Sequence, residues 1–77
     1  MTRYQLLKKN ENLIFSFVKN GILSYQILRD LEIYEKYQEL GDEINNNQFK
    51  YLLLSEEHSL SEKSIERIIY QMNRIIK

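Results

Sequence analysis

The chain has no cysteine and no proline, and only two glycines and one histidine among its 77 residues. Without cysteine there is no disulfide and no thiolate metal site, and a single histidine supplies too few ligands for zinc. Without proline, and with Gly21 and Gly41 as the only glycines, little breaks the backbone, which favours long helices over strands and turns. No run approaches the roughly 18 consecutive apolar residues of a membrane span. The opening MTRYQLLKKNE turns polar too soon for a secretory signal. The expectation is a soluble, cytoplasmic protein, and the absent cysteine agrees with a reducing cytosol. Material for catalysis is missing too. No Ser-His-Asp or Cys-His set can be assembled and no Gly-rich phosphate loop is present, so no enzyme, catalytic residue, metal ligand or cofactor is expected.

Net charge is also absent, since eleven basic side chains balance eleven acidic ones. The balance is uneven along the chain. Residues 1–20 carry a net +3, residues 30–43 a net −5, and residues 61–77 a net +2. Any contact with nucleic acid is therefore expected from the two ends. The acidic middle reads most simply as a solvated face. Its segment GDEINNN, residues 41–47, lacks the alternating oxygen ligands and closing Glu of a calcium loop.

What is present is a hydrophobic content of 43%, enough for a globular domain, and six tyrosines, more than a disordered segment carries. The length implies one domain, residues 1–77. Below roughly 70–80 residues a core rarely supplies more than about 3–5 kcal/mol, so small domains use staples. With no disulfide or zinc, the remaining staple is another chain, and a homodimer or a docked protein partner is expected.

Apolar residues recur at helical spacing along almost the whole sequence. Leu6, Leu7, Leu13, Ile14, Phe17 and Val18 predict a first helix over residues 3–19, stopped by Asn20-Gly21. This double-width stripe is wider than one neighbour covers. It reads both as a cover for the core and as a dimer seam through Leu6, Leu13 and Phe17, with Lys8 and Lys9 on solvent or near DNA. A second helix is expected from Ser24 as N-cap to about Leu40, with Tyr25, Ile27, Leu28, Leu31, Tyr34, Tyr37 and Leu40 on its apolar face. A third is expected from about Asn47 to His58, apolar almost all round through Phe49, Tyr51, Leu52, Leu53 and Leu54. The fourth starts at Ser61 or Glu62 and runs to near the end, with Ile65, Ile68, Ile69, Met72, Ile75 and Ile76 in one stripe. The expected fold is all-α, a four-helix small domain whose N-terminal helix (residues 1–21) flanks a tri-helical unit (residues 24–77).

The junction of the last two helices, LLSEEHSLSEKSIERII at residues 53–69, has the chemistry of a tight helix-turn-helix. Ser55 is a small residue where two helices cross, and Leu60 is an apolar plug in the turn. Ser61 is an N-cap, followed by Glu62 and Glu66 near the positive end of the helix dipole. Ile65, Ile68 and Ile69 then supply a buried side. This stretch resembles the helix-turn-helix of bacterial and phage transcription regulators. The wider pattern RDLEIYEKYQEL … YLLLSEEHSLSEKSIERII is similar to the C-terminal half of Mor-type phage transcription activators. The likeness covers roughly residues 29–70 and is densest over residues 51–70. Ser59 stands where that pattern commonly has Gly, Ser55 where it commonly has Ala, and Glu56, Glu57, Glu62 and Glu66 make the motif more acidic than the family's.

The resemblance implies a small transcription regulator of phage or mobile-element type, dimeric through its N-terminal part. It would bind double-stranded DNA by laying residues 61–75 in the major groove. Ser61, Glu62, Lys63, Glu66, Arg67 and Tyr70 would face the bases. Arg67 is the residue assigned to a bidentate contact with guanine, and Lys63 to a base or a phosphate. Glu62 or Glu66 would accept from a cytosine amino group or repel phosphate. Lys50, Tyr51 and Ser61 would hold phosphates, and Arg74 and Lys77 would reach flanking ones. The alternative is a structural hairpin serving a protein-interaction module, an inhibitor or adaptor without DNA affinity. Tyr25, Tyr34, Tyr37, Tyr51 and Tyr70 read first as core-edge packing, with base stacking as the alternative.

Overall fold

The computed structural model describes residues 1–41 and 46–76. Among them are five helices: α1 (Arg3–Lys9), α2 (Glu11–Lys19), α3 (Gln26–Gly41), α4 (Asn47–His58) and α5 (Glu62–Met72). The chain is all-α as expected, but the helix expected over residues 3–19 is two helices. Asn10 breaks it at φ −108° and ψ 22°. Its side-chain amide donates back to the Leu6 carbonyl at 2.8 Å, a local bond that competes with the helical ladder. α1 opens with a reciprocal cap. The Gln5 N–H donates to Thr2 Oγ1 at 3.1 Å, and the Thr2 N–H donates to Gln5 Oε1 at 2.8 Å.

Two further boundaries differ from expectation. α3 begins at Gln26, with Ser24 Oγ accepting the Gln26 N–H at 3.3 Å. α5 ends at Met72 and not near the C-terminus, and residues 74–76 turn back along the start of the chain. The Arg3 N–H donates to the Arg74 carbonyl at 2.8 Å, the Ile76 N–H donates to the Met1 carbonyl at 2.9 Å, and Thr2 and Ile75 form an isolated antiparallel bridge. The cause is the start of α1, whose first amides have no acceptor within their own helix. Ile75 and Ile76 therefore leave the stripe predicted for the last helix, and both are exposed. Asp42, Glu43, Ile44 and Asn45 of the expected loop lie outside the described residues, as does Lys77.

The core forms where α3, α4 and α5 meet. Leu31, Ile33 and Tyr34 of α3 join Leu54 of α4 and Ile65, Ile69 and Met72 of α5. Tyr4, Leu7, Leu28, Tyr37, Leu40, Tyr51, Leu60 and Ile68 close its edges. Ile33 lies outside the apolar face predicted for this helix, yet it is 0% exposed. α3 packs against α1, α4 and α5 together, and one stripe cannot serve three neighbours. α4, expected to be pressed on all sides, packs on α3 and α5 and leaves Phe49 and Leu52 exposed.

Side-chain bonds fasten the outer helices. Tyr4 stacks at a tilt on Tyr34 with centroids 4.6 Å apart, and its hydroxyl donates to Glu35 at 3.1 Å. Lys8 pairs with Glu11 at 2.9 Å and Glu35 at 3.0 Å, so it ties α1 and α2 to α3. Those two hydrogen bonds push its ammonium well above the ordinary lysine range. Lys36 bonds Glu57 of α4, and its helical neighbour Glu32 stands farther off at 3.9 Å. That bond holds the Glu57 carboxyl below the usual carboxylate range. No helix among the described residues is long and apolar enough to cross a membrane.

Leu54 has no solvent contact to fall back on, and three helices leave its site little room to collapse. Leu54→Ala is expected to lower unfolding stability by about 2–5 kcal/mol in urea titrations, whereas Leu52→Ala, on the exposed side of α4, should cost well under half of that.

Candidate nucleic-acid interface

α4 and α5 are joined by three residues whose backbone is held from both sides. Ser59 closes α4 in the left-handed conformation, φ 56° and ψ 40°, the one positive φ among the described non-glycine residues. The Ser59 N–H and the Leu60 N–H both reach the Ser55 carbonyl, the latter at 3.1 Å. The Ser55 hydroxyl in turn donates to the Leu60 carbonyl. Ser55 therefore does more than keep the crossing small, because its hydroxyl pins the turn. Leu60 packs against the core cluster, which anchors the connection to α3 and α5. Ser61 then caps α5, accepting the Ser64 N–H at 3.1 Å.

α5 is sharply two-sided. Ile65, Ile69 and Met72 are buried, while Lys63, Glu66, Arg67 and Tyr70 are exposed on the outward side and Glu62 is exposed at the start of the helix. Ion pairs between described residues occur around Lys8, Arg29 and Lys36, and none involves Lys63, Glu66, Arg67 or Arg74. The two cations of α5 thus have no carboxylate partner among the described residues. Beside them lies an open hollow of about 440 Å³, lined by Tyr37, Tyr51, Lys63, Glu66, Arg67, Ile69, Tyr70 and Asn73. Tyr37 and Tyr51 stack within its wall at 5.9 Å between centroids. Burial first, and then Tyr37 and the Glu66 carboxylate, push the Tyr51 phenol up. At the end of α5 the buried Tyr34 hydroxyl donates to Asn73 Oδ1.

Of the ten residues assigned from sequence to DNA, Lys77 lies outside the described residues, and five (Tyr51, Lys63, Glu66, Arg67 and Tyr70) share this hollow. Glu62 stands beside them in the first turn of α5. Three are placed differently. Lys50, assigned to a phosphate, is 7% exposed, with its Nζ 5.0 Å from the centre of the Tyr37 ring. Its ammonium is held by a cation–π contact inside the protein and is not presented to solvent. The long aliphatic stem and the neighbouring ring explain this, and sequence spacing alone does not reveal them. The Ser61 hydroxyl is used within the cap, donating to Ser64 Oγ at 3.0 Å. Arg74 lies beyond α5 in the segment bound to the N-terminus, with its side chain exposed. Tyr37 and Asn73 are not among the residues assigned to DNA from sequence: Tyr37 reads there first as core-edge packing, with base stacking as the alternative, and Asn73 carries no assigned role.

The residues assigned to a dimer seam are partly open. Leu13 is 52% exposed and Leu6 is at the edge of exposure, whereas Phe17 is half-buried. α2 packs closely against α1 alone and buries only Ile14. Phe15, Ile22 and Tyr25, none of them assigned to the seam, are more exposed than Leu13.

Comparison with protein-family models, curated proteins and solved structures gives no match to this chain.

Ser59 is the one described non-glycine residue in the left-handed region, where a side chain costs roughly 1 kcal/mol. Ser59→Gly should raise stability by about 0.5–1 kcal/mol, read as a higher urea midpoint at an unchanged slope. Ser55→Ala should lower it by a similar 0.5–1.5 kcal/mol through loss of the bond to Leu60.

Proposed function

We propose that this chain is a small sequence-specific DNA-binding transcription regulator, with α4, the turn at residues 59–61 and α5 acting as a helix-turn-helix. The observation that carries this reading is the pairing on α5 of a buried apolar side with an outward side. The outward cations Lys63 and Arg67 make no ion pair among the described residues. Laid in a major groove, the first two turns of α5 would bring Glu62, Lys63, Glu66 and Arg67 to base edges, Arg67 by a bidentate contact to guanine. Tyr51 and Arg74 would bond phosphates and set the register. The acidic Glu62 and Glu66 would suppress nonspecific binding and favour a cytosine amino group. The phage or mobile-element setting and the activator resemblance rest on the sequence likeness of residues 29–70 alone. As a dimer through the open faces of α1 and α2, with Leu6, Leu13 and Phe17 at the seam, the protein would recognise two half-sites about one helical turn apart.

The exposure of Leu13, Phe15, Ile22 and Tyr25 favours one rival, a protein-interaction module that docks through α2 and has no use for DNA. Selection of bound duplexes from a random pool at about 0.1 M salt separates the two. The regulator should enrich a motif, with two half-sites if it is dimeric. Its affinity should fall steeply with added salt as counterions are released. Arg67→Ala should weaken the selected site by about 1–3 kcal/mol and relax one base position. A folded protein in excess that enriches nothing removes the DNA reading in favour of the docking module.

A further inference from the structure

The hollow beside α5 contains more than a duplex-reading helix requires. Tyr70 is 70% exposed and contributes nothing to the core, yet it stands beside the stacked pair of Tyr37 and Tyr51. The cations Lys63 and Arg67 stand on the same rim with Glu66 one turn from Lys63, and Asn73 closes the far end. The Asn73 Oδ1 is occupied by the Tyr34 hydroxyl, which leaves its amide nitrogen as a donor. The Lys50 ammonium stands 5.0 Å from the centre of the Tyr37 ring, which forms part of the wall. At about 440 Å³ the hollow falls within the size range of small-ligand sites.

We infer that this hollow binds a single nucleotide unit whose base carries an exocyclic amino group. The base would stack on the tyrosine faces, because every nucleobase offers a π-face and aromatic side chains hold it without sequence restriction. The phosphate would lie between Lys63 and Arg67, which have no carboxylate partner among the described residues. The Glu66 carboxylate is an acceptor only, so it takes a hydrogen bond from the amino group of cytosine or adenine and repels the carbonyl oxygen that thymine presents instead. Its closeness to the site is felt by the Tyr51 phenol. The inference shares Lys63 and Arg67 with the duplex-reading face but does not rest on duplex recognition. The same chemistry is supplied by a free mononucleotide or by an unpaired nucleotide of a single strand.

The test is a titration of the folded protein, followed by the ring resonances of Tyr51 and Tyr70. The probes are deoxycytidine monophosphate, deoxyadenosine monophosphate, thymidine monophosphate, inorganic phosphate and a short single-stranded oligodeoxycytidine. The amino-bearing monophosphates should shift both rings at millimolar concentration, and thymidine monophosphate should bind several-fold more weakly. Tyr70→Ser, at an exposed position that cannot disturb the core, should weaken binding about tenfold, the scale of one lost base–aromatic stack. Glu66→Gln should abolish the preference over thymidine while leaving the fold intact. Tighter binding of the oligonucleotide, compared at equal nucleotide concentration, assigns the site to a single strand, and equal binding assigns it to the free nucleotide. Ring shifts absent with every nucleotide, or equal with inorganic phosphate alone, overturn the inference. Duplex selection reports separately, so an enriched duplex motif without nucleotide binding removes this site and keeps the regulator.

Discussion

Three side chains, Ile33, Leu54 and Ile65, one from each of α3, α4 and α5, are shut off from solvent where those helices meet. Everything that gives the outer surface its form depends on that contact. Ile65 lies in the second turn of α5, so burying it turns Lys63, Glu66 and Arg67 to the opposite side of the helix. Leu54 lies one residue before Ser55, whose carbonyl and hydroxyl both bond into the turn, so core and turn are fixed by adjacent residues. A core this small has little surplus stability. The other contacts therefore matter in proportion, notably the Tyr4–Glu35 bond, the Lys8 pairs and the clasp between the two ends of the chain.

The clasp and the Asn10 break have a common physical origin. Helix ends leave backbone groups without partners, and each group must find one. At Asn10 the side-chain amide takes the Leu6 carbonyl, and a seventeen-residue apolar pattern becomes two short helices. At the N-terminus the Arg3 amide takes the Arg74 carbonyl, and the end of the predicted last helix becomes an extended segment. The same apolar residues are present in each case. Where the backbone bonds are made decides which of them face the core, so Ile75 lies in the open and Ile14 does not.

The charges show a similar division of labour. Lys8, Lys36 and Arg29 are engaged by nearby carboxylates, mostly of α3, and Lys50 is held against Tyr37. The cations of α5 have no such partners among the described residues. A chain of zero net charge thus presents a locally available pair of cations beside an aromatic hollow, while much of its acidic middle is spent on internal pairing. That arrangement is what makes the α5 side the candidate site.

Several features were determined by the sequence alone. The all-α class follows from apolar spacing without proline, and the limits of α4 follow from Asn46, which caps its first turn, and from Ser59 at its end. The two-sidedness of α5 follows from Ile65, Ile69 and Met72 at helical intervals, and the capping of that helix from Ser61. These are local effects, set by residues within a few positions of one another. Tertiary structure alone decided the rest. It buried Ile33 because α3 has three neighbours, turned Lys50 inward because Tyr37 lies across from it, and gathered Tyr37, Tyr51 and Tyr70 from three helices into one hollow. Each of those outcomes depends on residues separated by at least a dozen positions, and helical periodicity carries no information about which faces will meet.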